Sequence, residues 1–406
     1  MRGQILAAAL AACGSSSFAL AADIGTHTTI GGQTFFDFSN ISLKNESASG
    51  AKVSASPSGT GFDVKRFYLV ADHRFDEIWA ADITLDAQYS TASTATVSTP
   101  TGTTTAVTNG NGSGGVTEVF IKKLYLEGKF SNAFVLHVGA YTSPWTGLVE
   151  GLYGYRFIDK TTTDRLGFAN TADWGVNATG VAGDHNRFSY SASVVNGGGY
   201  KNPTRTKKVD FEARAAMKPL TWLTVGAGYY NGHLGQITAA NDSLPRNTAQ
   251  RFDFVACVNI SGWRVGAEYF SARNYKTVNS FANGVFGTSA IVASGAAVPV
   301  SDRAEGFSSW VSYSFNDRWS VFGRYDDAKL SKRVLSRLED QYFNAGVSYK
   351  PIKPLDIAIA YKHERIANGT NTVSGADANG SYTIGGANST RSGTFEETGV
   401  FLQYQF

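Results

Sequence analysis

Residues 355–366 read Leu-Asp-Ile-Ala-Ile-Ala-Tyr-Lys-His-Glu-Arg-Ile, and the fold turns on that stretch. Leu355, Ile357, Ile359 and Tyr361 take every second position, with Asp356 and Lys362 among the residues between them. Successive side chains of a strand leave on opposite faces, so this pattern makes one apolar face and one polar face. The same period recurs in Leu223, Val225, Ala227 and Tyr229, in Phe252, Phe254, Ala256, Val258 and Ile260, and in Trp319, Val321, Gly323 and Tyr325. Asp253, Asn259, Ser320 and Arg324 fall between them.

Outward from these stretches, the chain resolves into sixteen alternating segments: 26–41, 62–75, 78–90, 116–130, 133–143, 168–182, 187–197, 207–218, 221–232, 249–260, 263–273, 303–315, 318–327, 339–350, 355–366 and 394–406. Short turns and long polar loops alternate between them. The long loops fall near 42–61, 91–115, 144–167, 198–206, 233–248, 274–302, 328–338 and 367–393. All nine prolines are expected in loops or turns, because proline cannot donate to a strand ladder. The reading is all-β: a transmembrane, antiparallel, up-and-down β-barrel of 16 strands, with both ends of the chain on the short-turn side.

Composition agrees. Glycine is high at 44 residues, aromatics make 13% and charged residues only 17%, below the roughly 25% of soluble domains. No stretch after residue 22 reaches the roughly 20 apolar residues of a spanning helix. A net charge of +3 with no basic run gives no reason to expect nucleic acid as a partner.

The first residues have the form of a secretory signal over 1–21, leaving 22–406 as a single barrel domain. Arg2 is the positive start, Ile5 to Ala12 the apolar core, and Ala19-Leu20-Ala21 the small-x-small cleavage site. Leu10-Ala11-Ala12-Cys13 followed by Gly14 also has the shape of a lipoprotein site, so lipidation of Cys13 stays open. At the other end, Val400, Leu402, Tyr404 and Phe406 alternate and the chain stops on an aromatic carboxyl-terminal residue. That is the signal read by the bacterial barrel assembly machinery. The expected location is therefore the bacterial outer membrane, with outer-membrane lipid around the barrel.

Residues 139–180 contain Gly-Ala-Tyr-Thr-Ser-Pro-Trp, Glu150, Tyr155-Arg156-Phe157, Asp164-Arg165 and Asn170-Thr171-Ala172-Asp173-Trp174-Gly175-Val176. This block, with Lys65-Arg66-Phe67-Tyr68-Leu69 upstream, resembles the phosphate-selective porin O and P family. The resemblance implies a homotrimer of 16-stranded barrels passing small anions or polar solutes, without a cofactor.

The third long loop, 144–167, is rich in bulky residues and is expected to fold into the lumen. Its candidates for a constriction are Trp145, Glu150, Tyr153, Tyr155, Arg156, Asp159, Lys160, Asp164 and Arg165. Three bases against three acids supply a transverse field, and charged rings set which ions pass. On the wall, alternation turns Arg66, Arg74, Lys123, Arg214, Arg251, Arg264 and Arg324 inward, with Asp72, Asp82, Asp86, Glu127, Asp210, Glu212, Asp253, Glu268 and Asp326. Facing lipid, an Arg or Lys at the midplane would cost roughly 2–4 kcal/mol. Tyr269, Tyr313, Trp319, Tyr349 and Tyr361 face lipid near strand ends and suit interfacial girdles.

No phosphate loop, zinc motif or nucleophile elbow occurs, and the six histidines show no metal-ligand spacing. Cys257 stands alone in the barrel, so the chain is expected to bind no metal and to be no enzyme. The competing readings are an outer-membrane hydrolase and a surface adhesion or scaffold barrel.

Overall fold

The computed structural model describes residues 22–23, 27–90, 93–98, 104–109, 116–203, 205–237, 247–276, 278, 301–373, 382–386 and 390–406. The expected leader, with Cys13, lies outside them. Sixteen strands follow in chain order: β1 Thr28–Glu46, β2 Lys52–Arg74, β3 Trp79–Ser90, β4 Val116–Ser131, β5 Phe134–Thr142, β6 Ala172–Ala182, β7 Phe188–Val195 and β8 Asp210–Leu220. The second half is β9 Leu223–Gly232, β10 Ala249–Ile260, β11 Trp263–Arg273, β12 Arg303–Ser314, β13 Trp319–Lys329, β14 Glu339–Ile352, β15 Leu355–Ala367 and β16 Gly393–Gln405.

Each strand pairs antiparallel with the next. β16 then pairs with β1, from Gln33↔Gln405 to Asn45↔Gly393, and the sheet closes. At the seam the Gly32 N–H donates to the Phe406 carbonyl at 2.8 Å, and the Phe406 N–H returns a bond at 3.0 Å. Closure gives each of the sixteen strands a neighbour on both sides, the condition for crossing hydrocarbon with strands.

The two faces separate as the alternation requires. On β10, Phe252 and Phe254 are 58% and 51% exposed, while Arg251 and Asp253 between them are 3% and 4% exposed inside the barrel. Arg324 points inward on β13, flanked by outward Tyr325. At the short-turn ends, outward aromatics pair across strands: Trp319 with Tyr349 at 4.5 Å between ring centroids, and Trp263 with Tyr313 at 4.6 Å.

The structure departs from the sequence expectations in several places. The first hairpin is far longer than 26–41 and 62–75, and the expected loop at 42–61 is mostly strand. Residues 52–61, Lys-Val-Ser-Ala-Ser-Pro-Ser-Gly-Thr-Gly, are exposed or half-exposed throughout. With neither face against lipid, no alternation is needed and the sequence carries none. β6 begins at Ala172 rather than 168, because the residues before it belong to the inward loop. Two loops carry small hairpins of their own, Ser93–Ser98 with Thr104–Asn109 and Thr370–Val373 with Tyr382–Gly385. Among the described residues, three prolines lie within strands, against expectation. Pro57, Pro219 and Pro351 each sit where the register slips, so no regular ladder bond is lost.

Two further slips matter more. Phe35 opposes Arg66 but Phe36 opposes Val64, so Lys65 is an extra residue in β2. Thr84 opposes Lys123 but Leu85 opposes Ile121, so Lys122 is an extra residue in β4. Each bulge lets two consecutive side chains point into the lumen.

Candidate functional site

The connection from β5 to β6 turns into the barrel. Its first part is α1, Pro144–Tyr153, which opens on proline, pre-set for the first helical turn. α1 ends on Gly154, whose φ of +80° stops the helix, and the Gly154 N–H donates to the Glu150 carbonyl at 2.9 Å. The same φ disfavours any side chain there, and a Cβ would also displace the Arg264 guanidinium, 1.7 Å away. A short α2, Thr162–Arg165, follows. On the wall, Gly228 of β9 makes room for the helix, since a Cβ there would meet the Trp145 ring at 2.6 Å.

Apolar contact is one reason the loop goes in. Trp145, Val149, Tyr153, Tyr155, Phe157 and Ile158 are buried against Phe35, Val255, Trp310, Phe322, Ala358, Ala360 and Phe401 of the wall. Left bare, that wall would be an apolar patch in a polar lumen; covering it yields about 25 cal/mol per Å² removed from water. Polar groups fix the pose. Trp145 Nε1 donates to Glu268 at 2.8 Å, and the Tyr342 hydroxyl donates to Asp159 at 2.9 Å. Tyr155 shares a hydrogen with Ser320 at 3.0 Å. Arg324 donates to the Lys160 carbonyl and, at 3.0 Å, to the Thr162 hydroxyl.

All nine loop candidates lie inside the barrel, in two groups. Asp159 and Arg165 join Trp145, Tyr153 and Tyr155 against the wall. Arg165 is the deepest anchor: Nη2 reaches Asp340 Oδ1 at 2.7 Å and Asp326 at 3.3 Å, Nη1 pairs with Glu364, and the guanidinium lies 4.4 Å from the Tyr342 ring centre. Glu150, Arg156, Lys160 and Asp164 form the second group. Arg156 Nε donates to Glu150 at 2.7 Å, Arg156 Nη2 is 3.7 Å from Asp164, and Lys160 is 3.9 Å from Asp164.

The wall candidates divide likewise. Arg251, Arg264 and Arg324 hold the loop. Arg251 pairs with Glu212 at 2.7 Å and Asp253 at 2.6 Å and donates to the Phe168 carbonyl, while Arg264 donates to the Tyr153 carbonyl at 3.3 Å. Arg214 donates to Ser189 at 3.0 Å. Arg74 stands at the short-turn end of β2, and Lys123 lies opposite Thr84 near Asp82. Arg66 alone of the set faces the second loop group, within electrostatic range of Arg156 and Asp86.

Sequence reading missed much of this chamber. Lys65, the extra residue of β2, bonds Asp37 at 2.6 Å and Glu397 at 3.1 Å; Lys362 also pairs with Glu397 and lies 3.5 Å from Asp159. Lys122, the extra residue of β4, donates to the Tyr68 hydroxyl at 2.9 Å. Beyond β7, Tyr200 and Lys201 fold back toward Phe120. A signal for the bulges was present. Lys65-Arg66 and Lys122-Lys123 are adjacent cations within strands, and strict alternation would send one of each pair into lipid.

The resulting cross-section is asymmetric. The loop fills the side from β7 round to β16. Opposite, Arg66, Lys122, Lys201, Arg156 and Lys160 gather around Asp86, Glu150 and Asp164, with Glu118 further toward the outer loops. Lys160, on the loop, is lowered to about 7, first by burial and then by Arg66, Arg156 and Lys122, against the attraction of Asp164. Among the described residues, no group of three or more His, Cys, Asp or Glu side chains is arranged to hold a metal ion.

No family model matches the chain, and no curated protein matches it. Solved structures do. An anion-selective porin from Comamonas acidovorans superposes with a TM-score of 0.59 at 11% identity, covering 93% of this chain and 99% of that one. OmpF of Salmonella typhi, in complex with daunomycin, gives 0.54 at 11% identity over 95% and 100%. The trimer form of OmpT, an outer membrane protein of Vibrio cholerae, gives 0.51 at 12% identity over 94% and 100%. At such identities the likeness is one of fold, and the fold of this chain is the porin β-barrel.

Proposed function

We propose that the chain is an outer-membrane porin, a water-filled channel for passive diffusion of small polar solutes and ions, with a weak preference for anions. One observation carries the reading. The side of the lumen opposite the loop's anchorage brings five cations, Arg66, Lys122, Arg156, Lys160 and Lys201, around three carboxylates, Asp86, Glu150 and Asp164. Asp37, Glu212, Asp253, Asp326, Asp340, Glu364 and Glu397 are taken up in buried ion pairs, and Asp72, Asp82 and Glu127 stand with Arg74 and Lys123 toward the short turns, so beside the loop a passing ion meets this surplus. The constriction is assigned to Glu150, Arg156, Lys160 and Asp164 on the loop and Arg66 on the wall, with the remaining candidates holding the loop in place.

In this reading the leader over 1–21 is removed, assembly machinery inserts the barrel in the bacterial outer membrane, and three copies associate. No catalytic role is assigned. The resemblance of residues 139–180 to phosphate-selective porin O and P makes phosphate the first anion to try after chloride. Planar-bilayer recording across a tenfold KCl gradient tests the proposal. Discrete conductance steps and a reversal potential of anionic sign are expected. A cationic sign overturns the anion preference, and a folded protein that conducts nothing overturns the pore.

A further inference from the structure

We infer that the chamber between the loop and strands β2–β4 binds aromatic monocarboxylates as they pass. This rests on the pore reading and narrows it from anions in general to one class. The basis is that rings and cations share one wall. Phe120 and Tyr200 lie nearly parallel, 5.9 Å apart at 23°, and the Lys201 ammonium is 4.6 Å from the Phe120 ring centre. Deeper in, the Lys122 ammonium is 4.2 Å from the Tyr68 ring centre and bonds its hydroxyl. The β4 bulge produces this order, since it turns Lys122 inward beside Tyr68 instead of into lipid. A lumen built only to pass small ions has no use for partly exposed rings, which cost water contact; a solute with a planar face does.

A second, independent feature marks where the carboxylate goes. Arg66 is 5% exposed, yet its Nη1 has no hydrogen-bond partner among the described residues. A guanidinium donor left unpaired in a shielded place is costly unless a solute or water takes it. Asp86 limits the charge of that solute. It lies in register with both Tyr68 and Phe120, is fully shielded, and neither of its oxygens has a partner among the described residues. A single carboxylate settles on Arg66 with its ring toward Tyr68 or Phe120. A second carboxylate on the same ring would be driven against Asp86. An aliphatic acid leaves the rings unused, and inorganic phosphate uses only the cations.

Block of chloride current through the folded protein in planar bilayers tests this. Chloride conductance alone comes first, and its absence is a failure of the pore reading rather than of this one. Benzoate, acetate, phthalate and phosphate are then titrated separately. Benzoate is expected to half-block at a concentration at least about fivefold below that of the other three, the scale of one aromatic contact. F120L should raise the benzoate value about fivefold and leave acetate where it was, whereas R66Q should raise both. Equal block by benzoate and acetate overturns the inference, as does tighter block by phosphate or phthalate, which would mark a site for charge alone. Should a variant not assemble, the wild-type series still decides.

Discussion

Removing the Arg165 guanidinium should release the inward loop, and the structure sets the size of the effect. Arg165 is 1% exposed and serves three carboxylates, Asp326, Asp340 and Glu364, all shielded from solvent. Asp326 keeps Arg324, 2.8 Å from Nε, and survives the loss. Asp340 and Glu364 lose the cation they touch, and Lys276 remains within electrostatic range of both. In R165M two carboxylates are left facing each other across β14 and β15. Breaking a buried charge pair from one side costs about 3–5 kcal/mol. Here the lumen can admit water and one carboxyl can take a proton, so about 3 kcal/mol is the appropriate end. That is a factor of roughly 150 in the ratio of docked to undocked loop.

The apolar contacts of Trp145, Tyr153 and Phe157 remain, so the barrel itself should assemble. What changes is the loop. Single-channel traces of R165M should show larger open steps and added flicker. Cys257 supplies a second, chemical readout. It is the free cysteine of the described residues, 4% exposed, with its Sγ 3.9 Å from the Leu152 carbonyl of α1. A small thiol reagent should label it slowly in the wild-type protein and at least tenfold faster in R165M. Removing the uncompensated charge as well, in R165M/E364Q, should recover part of the slow labelling. R165K should behave like a partial loss, since an ammonium cannot present the planar fork that Asp340 receives. If R165M conducts and labels as wild type does, the loop is held by its apolar side alone and the electrostatic reasoning is wrong.

Two predictions follow from the other loop group and from the bulges. Lys160, lowered to about 7, carries its charge below that pH and loses it above, so anion preference should weaken as pH rises from 6 to 8, and K160M should remove the step from the reversal-potential titration. Deleting Lys65 removes the β2 bulge and makes Val64 and Arg66 consecutive opposite Phe36 and Phe35, so the ladder becomes regular and every remaining side chain keeps its face. The heat-modifiable folded band should therefore be kept on gel electrophoresis, whereas deleting Val64 turns Lys65 or Asp63 toward lipid, at roughly 2–4 kcal/mol for a lysine there, and should lose that band.

How much of this the sequence carried depends on where the physical constraint sits. Wherever a strand has lipid on one side and water on the other, one-residue alternation is enforced by several kcal/mol per misplaced charge, and β9 to β16 could be read from it almost residue by residue. Where both faces are wet, as in residues 52–61, nothing enforces a pattern and the strand is invisible. Where the inside of the barrel is itself apolar, as at Val255, Trp310, Phe322 and Phe401, the polar-in rule is broken because another part of the same chain covers that surface. The bulky loop residues pointed to such a cover, but not to the strands beneath it. The bulges are the instructive case. An extra residue shifts the phase of everything after it, so period-two reasoning carried along β2 or β4 must fail on one side of Lys65 or Lys122. The adjacent cations mark the slip, because two consecutive charges cannot alternate across a membrane wall at tolerable cost. Of the lysines that strict alternation would assign to lipid, Lys122 builds the chamber and Lys65 binds Asp37 and Glu397 on the anchored side of the loop. A sequence rule that breaks at one dipeptide on an otherwise regular strand is thus better read as the address of a site than as noise in the pattern.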